Sequence, residues 1–486
     1  MCPPARLSDR HGATRIPNAC PPSEMTPWSP ASLSERVPLY IALADALATD
    51  IRSGRLKAGE RLPTHRSLAG VMGVNVMTVT RGYREAARRG LVEGEVGRGT
   101  FVSAVDKVTG PRAPEPTEGS RAVDFNFNLP WTGTDIADPT PWLRAAAEDP
   151  RALHLDRGYD ALGLDEHRKA GAILAGQLGG DQPDPERVVV TMGVQHAMSL
   201  CLGILCSPGD GFLVEELTYP GLHALASFQH LHPVAVSLDH DGIDPEALRA
   251  AARRSEARVL YCMPTAQNPT GSVSSLERRK AIVEVAREHD LWILEDDSYA
   301  YAADPHPEPL SALAPERTFR LVGTAKGMGA GLRIGYLVAP DRGDWIDRLA
   351  TTVSATTWMA APALADLASH WIHDGTAQRI AAWKRREAAA RRELCARTLG
   401  LEAHSVQPGV PHLWFQLPQP WTSERFARTA RSAGVLVSPS QAFTPGRGEA
   451  PNAVRLSLGT PPSREEVARG LSILQRVLTR GWERLV

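Results

Sequence analysis

Several things are scarce in this sequence, and each scarcity closes off a class of function. Six cysteines are spread over 486 residues, at 2, 20, 201, 206, 262 and 395. None has the spacing of a metal-ligand pair, so no metal is expected, and buried free thiols in a reducing cytoplasm are. No stretch reaches the ~18 consecutive apolar residues that a membrane-spanning helix needs. The opening stretch, MCPPARLSDRHGATRIPNACPPSEMTPWSP, lacks the apolar core of a secretion signal. No internal repeat is present. A net charge of −1 gives the whole chain no polyanion-binding signature. That balance hides an asymmetry. Residues 36–102 carry 11 basic and 6 acidic side chains, a net +5, which leaves −6 for the remainder. A small basic head on an acidic body points to nucleic acid at one end only.

Composition shifts divide the chain into four parts. Residues 1–35 read as a disordered, Pro-rich leader. Residues 36–103 read as a compact helical module. Residues 104–122, AVDKVTGPRAPEPTEGSRA, are polar with no apolar period and read as a linker. Residues 123–486 form a large α/β body, with a larger part at about 165–340 and a smaller α+β part at about 341–486. In the body, seven short β-rich strings (RVVVTMG, GFLVEEL, HPVAVSL, RVLYCMP, LWILEDD, FRLVG and IGYLVAP) alternate with helical runs. Such alternation implies a mostly parallel sheet covered on both faces.

The head has the pattern of a helix-turn-helix with a wing. VPLYIALADALATDIRSG has helical spacing and stops at Gly54. Two short helices then flank Gly73. The first turns Leu68, Ala69 and Met72 inward. The second starts at Asn75, a good N-cap, and is expected to bury Val76, Val79 and Tyr83. LVEGEVGRGTFVS alternates and turns on Gly94, Gly97 and Gly99, a hairpin of wing type. This geometry puts a second helix in the major groove. From Pro38 to Ser103 the sequence resembles the winged-helix domain of the GntR family. The resemblance implies that Arg66 and Arg98 touch phosphates, that the 75–81 helix reads bases, and that Gly99 lets the wing approach the minor groove. The family often has an arginine after the N-cap, where this chain has Val76. Base reading then falls to Asn75, Thr78, Thr80 or Arg81.

The body offers the parts of a pyridoxal 5'-phosphate site. That chemistry needs an amine for the cofactor aldehyde, a carboxylate for the ring nitrogen, an aromatic against the ring and donors around the phosphate. Lys326 lies in a Gly-rich loop after FRLVG, and Arg333 seven residues on can return to a phosphate. LWILEDDSYAY ends an apolar strand with two acids, expensive there unless a cation faces one. Asp296 is the choice, and Asp297 is expected as a capping residue. Tyr299 and Asn268, the latter in TAQNPTG, are candidates for the cofactor's phenolic oxygen. Gly193, Val194 and Gln195 open a helix suited to phosphate. Tyr219 in TYPG can stack on the ring. Arg455, inside the apolar AVRLSLG, calls for an anion such as a substrate carboxylate.

In this order the motifs resemble the fold-type I aminotransferases of class I/II over residues 123–486. With the head, the whole chain resembles the MocR-type regulators. That resemblance implies a head-to-tail homodimer in which a partner tyrosine, matched here by Tyr159, reaches the cofactor phosphate. The family usually has serines where this chain has Gly323 and Ala325, so anchoring falls on Arg333, the 193–195 helix start and Thr324, with weaker cofactor binding expected. Three functions are open. One is a cytoplasmic regulator that binds a double-stranded DNA operator and senses an amino compound by imine exchange at Lys326. Another is a working aminotransferase with an appended DNA-binding domain. The last is a nucleoid-type binder whose body only dimerises.

Overall fold

The computed structural model describes residues 28–30, 33, 38–57, 59–88, 91–95, 99–102, 122–129, 137–149, 160–400, 408–445 and 450–483. The chain folds as two units, Met1–Val105 and Asp106–Val486.

The first unit packs three helices, α1 (Leu39–Arg52), α2 (His65–Met72) and α3 (Val76–Arg88), with a hairpin of β1 (Val92–Glu95) and β2 (Gly99–Val102). β1 and β2 are antiparallel, with Val92 opposite Val102. Leu43, Leu47, Leu68, Val79 and Tyr83 fill the core, each such side chain contributing about 1.5–3 kcal/mol on full burial. α1 can lie this close to α3 because residue 82 is glycine: a Cβ there would fall 2.6 Å from Leu43 Cδ2. Thr64 Oγ1 accepts from Ser67 N at 3.2 Å and starts α2. The Tyr83 hydroxyl donates to Pro63 O at 3.0 Å, tying α3 to the loop before α2. The leader is not featureless to its end. Trp28 and Leu33 pack on this core, and Trp28 Nε1 donates to Asp50 Oδ2 at 2.9 Å. A large aromatic with one polar handle finds both an apolar bed and an acceptor there.

The second unit is built on a seven-stranded sheet. Its order is Val188–Thr191, Gly335–Val338, Thr318–Gly323, Trp292–Asp296, Val259–Cys262, Gly211–Glu215, His232–Val236. Gly335–Val338 runs antiparallel to both its neighbours, and the other pairings are parallel. Most of these strands are apolar along their length because helices cover both faces, including Val194–Leu205 and Trp345–Thr356 on one side and Pro245–Arg254 and Leu276–Glu288 on the other. A three-stranded antiparallel sheet, His412–Gln416, Ala453–Ser457 and Ser438–Pro439, forms a smaller layer with helices Thr376–Leu399, Ser423–Ser432 and Arg464–Glu483.

One segment breaks the order expected from the sequence. Val123–Asp124, at the start of the body, pairs in parallel with Val435–Leu436 of the smaller layer. Phe125 is fully buried there, in space that exists because residue 470 is glycine. A Cβ at 470 would meet the Phe125 ring at 2.5 Å. Residues 126–129 continue from this anchor towards the ends of the main strands.

Candidate functional site

The carboxyl ends of the central strands meet at a cleft, where open α/β sheets place ligands. It is a cavity of about 600 Å³. Lys326, Asp296, Tyr299, Asn268, Tyr219, Gly193, Val194, Gln195, Arg333 and Arg455 all line it. Thr324 does not. Its hydroxyl is fully buried and donates to Ile334 O at 2.7 Å, closing the lysine loop on itself instead of facing the cleft. Tyr159 lies outside the described residues.

Lys326 sits on the short helix Thr324–Gly327 that follows Thr318–Gly323. Burial, then Arg455 and Arg333, push its amine down to about 8, with Asp296 pulling the other way. Its Nζ donates to Asn128 O and stands 5.8 Å from the centre of the Tyr299 ring. A second buried lysine, Lys384, donates to Lys326 O at 2.8 Å and Met328 O at 3.3 Å, and so fixes the loop from behind.

Asp296 ends its strand fully buried. Tyr261 Oη donates to Oδ2 at 2.7 Å and Ser298 N to Oδ1 at 2.9 Å. Burial still pushes its carboxyl up, against these bonds. A cation facing it across the cavity would restore the charge. Asp297 is not the capping residue expected. It pairs with the buried Arg320 at 2.6 Å, whose other N–H groups serve Ala175 O, Leu178 O and Gly179 O. Asp296 makes the local turn bond and also lines the cleft, while Asp297 faces away into the ion pair.

At the opposite wall, Gly193 (φ +86°) precedes the helix Val194–Leu205. The N–H groups of Val194 and Gln195 stand in its first turn, where no helical carbonyl reaches them. Arg333, left-handed at φ 51°, aims its guanidinium at this point: a Cβ on Gly193 would lie 3.4 Å from Arg333 Nη2. The pair makes an anion cradle. Ser298 also lines the cavity, and a Cβ on Gly323 would sit 3.7 Å from its Oγ. A hydroxyl therefore stands beside one of the positions where the serines are missing.

Arg455 lies on Ala453–Ser457 and is 6% exposed. Nη1 donates to Asn268 Oδ1 at 2.8 Å and Nη2 to Asn126 O at 2.6 Å, while Phe443 lies 4.8 Å beneath the guanidinium. These acceptors are neutral, and Nε is buried without a partner among the described residues. The guanidinium thus keeps donor capacity suited to an anion.

The sequence carries no signal for the residues that brace this site. Asn128 Nδ2 lies 3.1 Å from His412 Nδ1, and His412 Nε2 lies 2.8 Å from Gln267 O. Burial drives His412 down to about 3, so the ring is neutral and Nε2 carries the proton. Gln267 in turn donates to Leu217 O at 2.6 Å and to the buried Glu215 at 3.1 Å. Gln267 falls inside the TAQNPTG string, but its partners lie far from it in the sequence, and only the fold joins them.

In the head, Arg66 and Arg81 are exposed. Asn75 Oδ1 accepts from Met77 N at 2.8 Å, so its side-chain oxygen is engaged at the cap. Thr80 is half-buried: its hydroxyl donates to Val76 O at 3.0 Å and lies 3.1 Å from His65 Nδ1, turned towards α2. Thr78 is half-buried as well. Gly99 (φ +123°) makes room for Arg61, whose Nε would be 3.0 Å from a Cβ there. Arg98 lies outside the described residues. Val76 was expected inside but is 40% exposed. By spacing it continues the Val79–Tyr83–Ala86 stripe, but it stands in the first turn, at the end of that stripe, outside the core cluster.

A lysine and a carboxylate facing one cleft at the ends of a mostly parallel sheet, with an anion cradle at a helix start, define a fold-type I pyridoxal-phosphate body, here carried behind a winged helix. The chain belongs to the family Aminotransferase class I and II, which matches residues 122–472. Residues 39–102 match Bacterial regulatory proteins, gntR family. Pyridoxal 5'-phosphate is the cofactor of the aminotransferase family. The HTH-type transcriptional regulator YdeF of Bacillus subtilis is 29% identical over 93% of this chain and 96% of its own. The probable rhizopine catabolism regulatory protein MocR of Rhizobium meliloti is 28% identical over 63% of this chain and 66% of its own. The α-aminoadipate aminotransferase LysN of Thermus thermophilus, complexed with N-(5'-phosphopyridoxyl)-L-leucine, superimposes with a TM-score of 0.64 at 25% identity, over 75% of this chain and 94% of that one.

Proposed function

We propose that this chain is a cytoplasmic transcriptional regulator that binds an operator through its head and senses a small amino compound through its body. Pyridoxal 5'-phosphate, when bound, supplies an electrophilic aldehyde carbon and a cationic ring that stabilises charge at the carbon beside it. Lys326 would supply the amine that holds the aldehyde. Asp296 would face the ring nitrogen, whose positive charge favours the ionised carboxylate. Tyr219 would lie against the ring. Asn268 and Tyr299 would serve the phenolic oxygen. Arg333 and the first-turn N–H groups of Val194 and Gln195 would hold the phosphate. Arg455 would take a carboxylate of the ligand.

One observation carries the regulatory reading. The backbone carbonyls of Asn126 and Asn128 accept from Arg455 and from Lys326. A ligand that engages Lys326 and the Arg455 guanidinium competes with these carbonyls for the donors, in a segment that begins a few residues after the 104–122 linker. This supports the reading that occupation of the site alters the segment from which the chain leads to the head. A differential affinity of about 1–3 kcal/mol between two states is the usual strength of such coupling. A head-to-tail homodimer, with the partner subunit's Tyr159 at the phosphate, completes the proposal and implies two operator half-sites.

The alternative, an active aminotransferase with an appended DNA-binding domain, is favoured by the lysine amine held near 8, which is suited to proton transfer. Two variants test the regulator. Lys326→Ala is expected to lose the visible absorbance of the loaded protein and every response to amines while retaining basal DNA affinity. Arg66→Ala is expected to lose DNA affinity and retain the absorbance. If Lys326→Ala instead retains a normal amine response in DNA binding, sensing does not pass through this lysine and the proposal fails.

A further inference from the structure

The helix expected to read bases does not present a purely polar face. α3 buries Val79, Gly82, Tyr83 and Ala86. At about 100° per residue, the opposite face carries Met77, Arg81 and Arg84, all three exposed. Met77 is 61% exposed and Val76, beside it, 40%. Single exposed apolar side chains are ordinary, but the place of these two is not. They occupy the first turn of the second helix of a helix-turn-helix, the turn that meets base edges in the major groove.

Two neighbouring groups narrow the choice of what Met77 and Val76 contact. Asn75 has its side-chain oxygen engaged as the cap, and Thr80 is turned inward on His65. The hydrogen-bonding candidates of this turn are therefore partly withdrawn; Met77 stands forward on the exposed face, and Val76, partly exposed, lies at its flank. Arg81 and Arg84, on the same face, and Arg66 on α2 supply the positive charge that a phosphate backbone attracts. The apolar feature that a major groove displays is the C5-methyl group of thymine.

We propose that Met77, with Val76 beside it, recognises thymine methyl groups in the operator, so that sequence is read at this turn by apolar contact in place of a hydrogen-bonding arginine. The proposal rests on the reading of the head as a DNA-binding module. It adds the chemistry by which that module selects its site.

The test uses the full chain and a random-sequence DNA duplex library. Enriched duplexes are resynthesised with deoxyuridine in place of each thymidine in turn, which removes one methyl group and leaves every hydrogen bond. At one or more positions the substitution is expected to weaken binding about four-fold, the worth of one buried methyl. Met77→Ala is expected to bind the thymidine and deoxyuridine duplexes alike at that position, and Met77→Leu to keep the difference. Met77 is exposed, so neither change disturbs the core. Equal affinity of the unaltered protein for both duplexes overturns the proposal. So does a methyl preference that persists unchanged in both Met77→Ala and Val76→Ala. Failure to enrich any duplex overturns the DNA-binding reading itself, and leaves the apolar face to a protein partner.

Discussion

Lys326 and Asp296 owe their chemistry to the same burial, acting in opposite directions. Removing water disfavours the charged form of each, so the amine is pushed down and the carboxyl up. For the lysine the consequence has a definite sign. The amine attacks an aldehyde only when neutral, and its proton leaves near 8 instead of the ordinary range around 10.4. The rate at which the cofactor-free protein takes up pyridoxal 5'-phosphate at Lys326 is therefore expected to climb with pH and to reach half its plateau near pH 8, followed by stopped-flow absorbance. A rate still climbing through pH 10 would show an amine in its ordinary state. At this scale the sequence is informative where a residue type is costly in its context. A carboxylate ending an apolar strand and an arginine inside one each announce a counter-charge from their sequence neighbours alone. It is uninformative where a role depends on what lies opposite. Asp297 reads as a cap until Arg320, on the neighbouring strand, is seen to face it.

At the scale of elements, the seven apolar strings each became a strand of one sheet, because strands buried on both faces carry their signal in continuous hydrophobicity. The antiparallel direction of Gly335–Val338 leaves no such trace, since periodicity does not encode direction. The segment 123–129 was missed for another reason. Its pairing with Val435–Leu436 spans two residues, too few to carry any period. Yet this segment both lines the site and follows the linker in the chain. Its anchor is the Phe125 ring against Gly470, where a larger side chain has no room. Gly470→Leu is expected to displace Phe125, to cost about 1–3 kcal/mol of body stability by overpacking, and to uncouple the segment. The variant should bind cofactor and amine, yet show a reduced amine effect on DNA affinity. An undiminished effect, measured by fluorescence anisotropy with and without ligand, would show that the segment carries no signal.

For the whole molecule, the basic head and acidic body seen in the charge distribution correspond to two separately folded units. The resemblance of each unit to a known family was legible because its residues fall into spaced motifs, with Gly and Pro at turns and polar residues at strand ends. What the amine is was not legible. Ligand selection depends on the shape of a 600 Å³ cavity assembled from segments over 300 residues apart, from Asn126 to Arg455.

The central claim is that one site both binds an amine and sets DNA affinity. The most direct measurement titrates a panel of amino compounds into cofactor-loaded protein on an enriched duplex, following visible absorbance and DNA affinity together. The account predicts that at least one compound shifts both over the same concentration range, with DNA affinity changing about 5–150-fold. Turnover of amino acids with 2-oxoglutarate, while DNA affinity stays constant for every compound, would contradict it.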